Sequence, residues 1–450
     1  MKKIFNVILV LCMVFMLTSC TQIEQAHDNL PVDEEQAQDN SQAVPENQVE
    51  DMSQYEQGGH SREDEGECEA SELPFEGKIA IVTRPVGSGF RDYNFAVAIQ
   101  RELGEDKIIH RVWPISDQEI EVMKATLQDI AAESDVRVLI ISGASRGMID
   151  AVDMFINDRD DVFIVYVTPF VSEEEVSAIA NLAIRTNYPM FGYYYIKQAK
   201  RMGAETIINY KSETLFETRR PENIIIRDMM EETAALKGIN FVEIDVPLLE
   251  DRRGVESAQR QAELENARRY VFGDVPRQIS IFGANTAFFS PNNMFQFPIF
   301  FPIVNGSEGL FPASNRPSPF GEVGQVFGRV EPLATFPIRN RHNVYGVRWD
   351  IRTYQELIRV IREEAVRLGV TGRVSSWPMD PADFYNALAF EYAVRWINGE
   401  VDGEVVDLDL LAEIGREIIM EETGEPVGVS LERHPDFSNF ILAMMDFIVF

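Results

Sequence analysis

Several residues in this 450-residue chain have the types and spacing for chemistry. Gly143-Ala144-Ser145-Arg146-Gly147 puts a serine in a G-x-S-x-G turn between a strand-like and a helix-like stretch, the setting of an activated nucleophile. Such a serine needs a histidine to take its Oγ proton and an acid to orient that histidine. Downstream lie only His342, in a Pro/Arg-rich loop, and His434, in the tail. A tight turn that demands small residues is the reading these features favour. The same SGASRGM, with Tyr193–Lys197 as Y-x-x-x-K, has the outline of a dinucleotide loop with a proton-relay pair. Its last loop glycine is replaced by Met148 or Ile149, and the pair follows too soon. Gly87-Ser88-Gly89 lacks the third glycine of G-x-G-x-x-G. The five histidines (27, 60, 110, 342 and 434) are scattered and no C-x-x-C occurs, so neither a metal nor another cofactor is expected. The expectation is a protein that is not an enzyme.

Binding chemistry is better supplied, by polar residues just after apolar strand-like runs. Arg84, Ser88, Phe90 and Asp92 follow Lys78–Thr83, with Gly87 and Gly89 allowing close backbone approach. Ser142, Ser145 and Arg146 follow the next-but-one run, at a helix start suited to an anionic or hydroxylated group. Thr168 ends a further run, Tyr194 lies near a change of pattern, and Asn285 follows the run QISIF. Trp377 and Asp380 offer a stacking face and an acceptor. Arg84 and Arg146 are the charged candidates, because a fork-shaped donor matches a carboxylate or phosphate. Each of these residue types also caps helices and closes turns.

The elements that would position them alternate. Lys78–Thr83, Ile108–Trp113, Val136–Ser142 and Val162–Thr168 read as strands; helices fit Asp92–Leu103, Asp117–Ala132, Arg146–Ile156 and Glu173–Arg185. Unbroken Val/Ile runs suit parallel strands covered on both faces. After an aromatic stretch at Met190–Tyr195 and a short helix over Lys197–Met202, a second series begins. It reads as strand Thr206–Tyr210, helix Ile224–Leu236, strand Phe241–Val246, helix Glu256–Tyr270, strand Gln278–Phe282 and a further strand over Pro298–Val304. Helix Tyr354–Leu368, strand Arg373–Ser376 and helices Pro381–Ile397 and Leu408–Glu422 follow. The Phe-rich stretch 282–336 reads as core first, because aromatic rings bury large areas. The expected fold is α/β, with two doubly wound parallel-sheet lobes joined by a hinge.

Charge and the N-terminus bound the partners. With 73 acidic and 41 basic side chains the formal charge is −32, which repels phosphate backbones and excludes general nucleic-acid binding. MKKIFNVILVLCMVFMLTSC pairs two lysines with a short apolar run ending in Leu17-Thr18-Ser19-Cys20. That order resembles a bacterial lipobox, whose cysteine is lipidated, so Cys20 is the expected anchor and membrane contact is through lipid alone. Residues 21–76 carry 17 acidic residues and one basic one, a composition expected to form a disordered tether. The expected organisation is a signal peptide at 1–19, lipidated Cys20 and tether at 20–76, and lobe 1 at 77–195. Lobe 2 covers 196–370, and a returning strand, helices and tail cover 371–450.

Four motifs carry a resemblance over roughly 77–400: KIAIVT leading into RDYNFAVAIQ, YIKQAKRMGAETIINY at the lobe crossover, QISIFGANTA, and FYNALAFEYAVRWINGE. In this order they resemble the type I periplasmic-binding-protein family, and within it the basic-membrane-protein-like solute-binding lipoproteins. The resemblance implies a lipid-anchored receptor on the outer face of the cytoplasmic membrane. It would close on a small-molecule ligand between two lobes and deliver it to a transporter permease. The alternatives from other classes are an exported serine hydrolase using Ser145 and an input module that reports ligand occupancy to a partner protein.

Overall fold

The chain alternates strand and helix because each apolar run is short enough to be a strand and each amphipathic run long enough to cross back over it. The computed structural model describes residues 75–114, 119–144, 146–212, 220–247, 257–328, 353–401 and 405–450. Cys20, the leader and the tether up to residue 74 lie outside them, as do Ser145 and His342; Phe75, expected in the tether, is instead buried in the core, and its carbonyl accepts from Lys107 Nζ at 2.9 Å. The first series is β1 (Lys78–Thr83), α1 (Val86–Leu103), β2 (Ile108–Val112), α2 (Ile120–Ala131), β3 (Val136–Ser142), α3 (Arg146–Asp158), β4 (Phe163–Val167), α4 (Glu173–Ile179) and β5 (Leu182–Thr186). Helix α5 (Tyr188–Arg201) leads to β6 (Thr206–Lys211), α6 (Pro221–Leu236), β7 (Asn240–Asp245), α7 (Ser257–Phe282), β8 (Thr286–Phe289) and α8 (Gln296–Gly306). The remainder is α9 (Tyr354–Leu368), β9 (Ser375–Ser376), α10 (Pro381–Ile397), α11 (Leu408–Thr423), β10 (Val429–Arg433), β11 (Phe440–Met445) and β12 (Ile448–Val449).

Two sheets form. The first has seven strands in the order β10-β11-β5-β4-β3-β1-β2, parallel except for β10. Its centre is set by register pairs such as Ile79↔Val138 and Ile79↔Ile108, all buried apolar residues. The second has the order β7-β6-β8, and bridges Ala287↔Leu310 and Phe311↔Val374 carry it on toward β9 and the antiparallel β12. This is the expected α/β architecture of two parallel-sheet lobes.

Four sequence expectations change. Leu182–Thr186, read as a helix end, is β5: α4 stops at Ile179, and the backbone N–H of Asn181 bonds Ile164 O of β4. Met190–Tyr195 belongs to one helix, α5, which is capped by the Asn187 side chain. Gln278–Phe282 is the last part of α7 rather than a strand. Its β-branched residues alternate, but Val271, Val275 and Ile279, four residues apart, are all buried, and that spacing decides the matter. Pro298–Val304 is helical, within α8. A helix buried on nearly every side shows no amphipathic period, so its sequence looks like a core strand. Most of the Phe-rich stretch is core, as expected: Phe288, Phe289, Phe295 and Phe300 are buried, and Phe297 and Phe301 are half-buried.

The tail, which the sequence left unplaced, completes the first sheet. Strand β11 (FILAMM) is buried throughout and pairs parallel to β5, with Phe440↔Ala183 in register. The chain therefore passes between the sheets three times, at Asn187, at 377–380 and at 446–447. These segments touch one another. Asn187 N–H bonds Ala443 O at 3.0 Å, the Tyr385 hydroxyl donates to the same carbonyl at 3.0 Å, and Trp377 meets Phe447 at 6.2 Å between ring centroids. They form the hinge.

Candidate functional site

Where β1, β3 and β4 end, the backbone leaves regular structure and polar side chains gather. After Thr83 the chain turns through Arg84 and Pro85 into α1, which kinks at Gly89 (φ −141°, ψ 47°). After Ser142, Gly143 takes φ +69°, and after Val167, Thr168 takes φ +48°. A β-branched residue in the left-handed region is strained by about 1–3 kcal/mol, and such strain concentrates at functional sites. Two backbone bonds hold these loops side by side: Gly143 N–H to Val167 O and Phe170 N–H to Ala144 O, both 2.9 Å.

Three of the expected residues meet here. Asp92 is buried on α1, and its Oδ1 accepts a 2.7 Å bond from the Asn386 side chain. The Asn386 carbonyl oxygen in turn accepts from the Ser142 hydroxyl at 2.5 Å, so α10 ties α1 to the end of β3. Arg84 reaches over this group. Its Nη2 stands 3.8 Å from Asp92 Oδ2, too far for a hydrogen bond, and its buried Nε has no partner. Its guanidinium lies 4.7 Å from the ring centroid of Phe170, which is 63% exposed and so leaves one face of the stack open. Burial pushes the Arg84 pKa down, with Asp92 pulling it back. Burial raises the Asp92 carboxyl, against Asn386 and Arg84. Gly143 and Gly89 make room for the arginine: a Cβ would fall 2.5 Å from its Nε at Gly143 and 2.8 Å from its Cβ at Gly89. The glycine expected to admit a close backbone approach thus admits a side chain of the chain itself.

A second group is built on the residue of α1 that precedes Asp92. The Arg91 guanidinium pairs with Asp383 at 2.8 Å and Asp380 at 3.1 Å, and lies 4.3 Å from the Phe320 ring centroid. The Tyr354 hydroxyl donates to Asp383 at 2.5 Å and the Ser318 hydroxyl to Asp380 at 2.8 Å. Burial pushes Asp383 up to about 7, in spite of Arg91. Burial also works against the charge on Arg91, but Asp380 and Asp383 outweigh it and its pKa rises. One guanidinium balances one carboxylate, so the more deeply buried acid carries the surplus.

The other expected residues fall elsewhere. The Ser88 hydroxyl bonds Pro85 O in its own turn at 3.3 Å and is exposed. Phe90 is half-buried in the kinked start of α1. Arg146 is the first residue of α3. Tyr194 stands edge-on to Tyr193 with Lys197 Nζ 5.5 Å from its ring, on the helix that packs against α6. Trp377 is 2% exposed between Phe191 and Phe447, so it is a hinge core residue and not a stacking face. Asp380 caps α10 and pairs with Arg91. Asn285 corrects an expectation outright. It precedes β8 rather than ending a strand, is exposed, and bonds Glu205 at 3.2 Å, so it stands at the amino end, opposite the strand-end loops. The His434 ring bonds Glu173 at 2.9 Å and stacks on Phe437.

Sequence reading missed Asn386, Arg91 and Asp383. The signal was present, since Asp383 and Asn386 are polar residues three apart in the otherwise largely apolar DFYNALAF. It missed a polar turn of the second lobe as well. Beyond β8, Gln296 Nε2 donates to Ser290 O at 2.8 Å and Asn292 O at 3.1 Å, and Asn315 Nδ2 to Pro291 O at 2.8 Å. A separate hollow between α2 and α3, lined by Lys124, Leu127 and Phe155, lies away from all these groups. Among the described residues no cluster of His, Cys, Asp and Glu could hold a metal ion.

Comparisons with known proteins agree with the architecture. The model of a family described as "Protein of unknown function (DUF3798)" matches residues 77–328. No curated protein sequence matches. A solved candidate transcriptional regulator from Clostridium difficile 630 is 17% identical, with TM-score 0.69 over 84% of this chain and 99% of that one. A sugar ABC transporter protein from Actinomyces odontolyticus ATCC 17982 is 11% identical, with TM-score 0.43 over 73% of this chain and 86% of that one. A sugar ABC transport substrate-binding protein from Bordetella parapertussis 12822 is 11% identical, with TM-score 0.39 over 83% and 89%. At these identities the likeness is one of fold. What is shared with the Clostridium difficile structure is the α/β architecture of parallel sheets covered by helices.

Proposed function

Because this chain belongs to the DUF3798 family, whose description assigns no activity, we propose on its geometry that it is a solute-binding protein. It captures a small molecule at the strand ends between its two lobes and releases it unchanged. The observation that carries this reading is Arg84: a half-buried guanidinium, held over two glycines, whose ion-pair partner Asp92 stands off at 3.8 Å and whose buried Nε has no acceptor among the described residues. A buried donor left without an acceptor is costly, and binding sites are where such cost is kept until a ligand offsets it. Strained Thr168 and the open face of Phe170 stand beside it. The hinge supplies the motion, since contacts from both lobes would select the closed form.

The chain would be held at the outer face of the cytoplasmic membrane by lipid on Cys20, with a transporter permease as recipient. Two of the comparison structures carry the description of sugar transport proteins, which fits that role. The description of the Clostridium difficile neighbour supports a second reading, a sensor that passes ligand occupancy to a partner. Both readings share the same cleft. Native mass spectrometry of the purified protein tests it: a retained small molecule, lost from Arg84→Gln, is expected. Protein of apo mass only, with no solute shifting its melting, would refute capture. A fluorophosphonate probe is expected to leave Ser145 unlabelled; stoichiometric labelling would favour the hydrolase instead. Cys20→Ala is expected to abolish incorporation of labelled lipid.

A further inference from the structure

The loop after β1 and the turn after β8 leave opposite kinds of atom unpaired. In the first, Arg84 offers only N–H donors, its nearest carboxylate is 3.8 Å away, and its Nε is buried without an acceptor. In the second, the orphans are acceptors. Gln296 is 1% exposed, and its Oε1 has no donor; Asn315 Oδ1 is likewise buried and unpaired. Their orientation is settled by chemistry. Each amide nitrogen lies against backbone carbonyl oxygens of the Ser290–Asn292 turn, and reversing either amide would set oxygen against oxygen. The segment holding Asn315 continues to Ser318 and Phe320, which meet Asp380 and Arg91, so this stretch of the second lobe packs at the start of α1, near Arg84.

From this complementarity we infer the class of solute: an acid that also bears hydroxyl or ammonium donors. Its carboxylate or phosphate seats on Arg84, and its donors reach the Gln296 and Asn315 oxygens. The inference rests on the solute-binding reading and narrows it. A neutral sugar would leave the guanidinium unpaired, and a bare inorganic anion would leave the amide oxygens unpaired. Neither would reward contact with both lobes.

The test is titration calorimetry with matched probes: glucose, glucuronate, glucose 6-phosphate, glutamate and acetate. One of the donor-bearing acids is expected to bind at least tenfold more tightly than both glucose and acetate. Glucuronate and glutamate separate a hydroxyl from an ammonium donor. Arg84→Gln is expected to remove the preference for the acid, and Asn315→Ala to weaken the acid severalfold at an unchanged melting temperature. Gly143→Ala, which crowds the arginine from outside, gives the same loss of preference if Arg84→Gln does not fold. Glucose binding as tightly as glucuronate would overturn the class, as would an acid affinity indifferent to Arg84→Gln. Affinities indifferent to Asn315→Ala would mean that water fills the amide site, and would overturn the donor half. If no probe binds, the solute retained in native mass spectrometry decides. A neutral one overturns the class and leaves capture standing, whereas the absence of any solute overturns both.

Discussion

Arg84 and Arg91 stand seven residues apart and were made by their surroundings into opposites. Arg91 has two carboxylates within 3.1 Å, an aromatic ring on its face, and acids fixed in turn by Tyr354 and Ser318. Arg84 has one carboxylate at 3.8 Å, a ring that is mostly exposed, and a buried Nε with no partner. The charges of Arg91 are matched within the protein, so it holds structure, joining α1 to the start of α10 and to the second lobe. Arg84 keeps a buried Nε–H for which the described residues supply no acceptor. An arginine after a strand is therefore no evidence of a site until its partners are counted.

The largest contrast lies in stability. Arg91→Gln leaves Asp380 and Asp383 buried without their cation and is expected to cost about 3–5 kcal/mol. Arg84→Gln removes a charge that the protein barely pairs and is expected to change stability by under about 1 kcal/mol. Urea unfolding of the two variants checks this; equal losses would erase the distinction between them.

Gly143→Ala comes next. The position has φ +69° and lies against Arg84, so strain of about 1–3 kcal/mol is expected, together with loss of ligand affinity. Wild-type affinity in this variant would show that the seat of Arg84 is immaterial.

The acid cluster also predicts a pH dependence. The Asp383 carboxyl is raised to about 7 when folded and is ordinary when unfolded. The folded state therefore holds the extra proton between about pH 4 and 7, and this contribution to stability, full below about pH 4, is lost as pH rises to about 7. Glu322, also pushed to about 7 by burial, adds a slope of the same sign; His110, held down to about 4 by burial, opposes it. The measurement is the difference in unfolding free energy between wild type and Asp383→Asn across pH 4–8. A difference that stays flat would mean that Arg91 keeps Asp383 ionised throughout.

The smallest effect is expected at Thr168. Glycine relieves its positive φ but adds freedom to the unfolded chain, so Thr168→Gly should stabilise by about 1 kcal/mol or less. A destabilised variant would show that the Thr168 side chain holds more than its backbone strain costs.

The sequence by itself determined the alternation of strand and helix, the parallel sheets and the break between two series. Strand β4 is an unbroken buried apolar run, and β1 and β3 are buried and apolar through Ile79–Val82 and Val138–Ile141, as a doubly covered sheet requires. It also brought forward Arg84, Asp92 and Ser142, because strand-end loops are where a parallel sheet presents polar groups. Where burial surrounds an element on all sides, period vanishes, and so α8 and the end of α7 looked like strands. Only the tertiary structure decided that β11, some 250 residues after β5, lies beside it, and that Asn386 closes the gap between Ser142 and Asp92. Only it decided which arginine is spent on the fold. Pairing is a matter of distances between residues about 300 positions apart, such as Arg91 and Asp383, and local sequence carries no record of them.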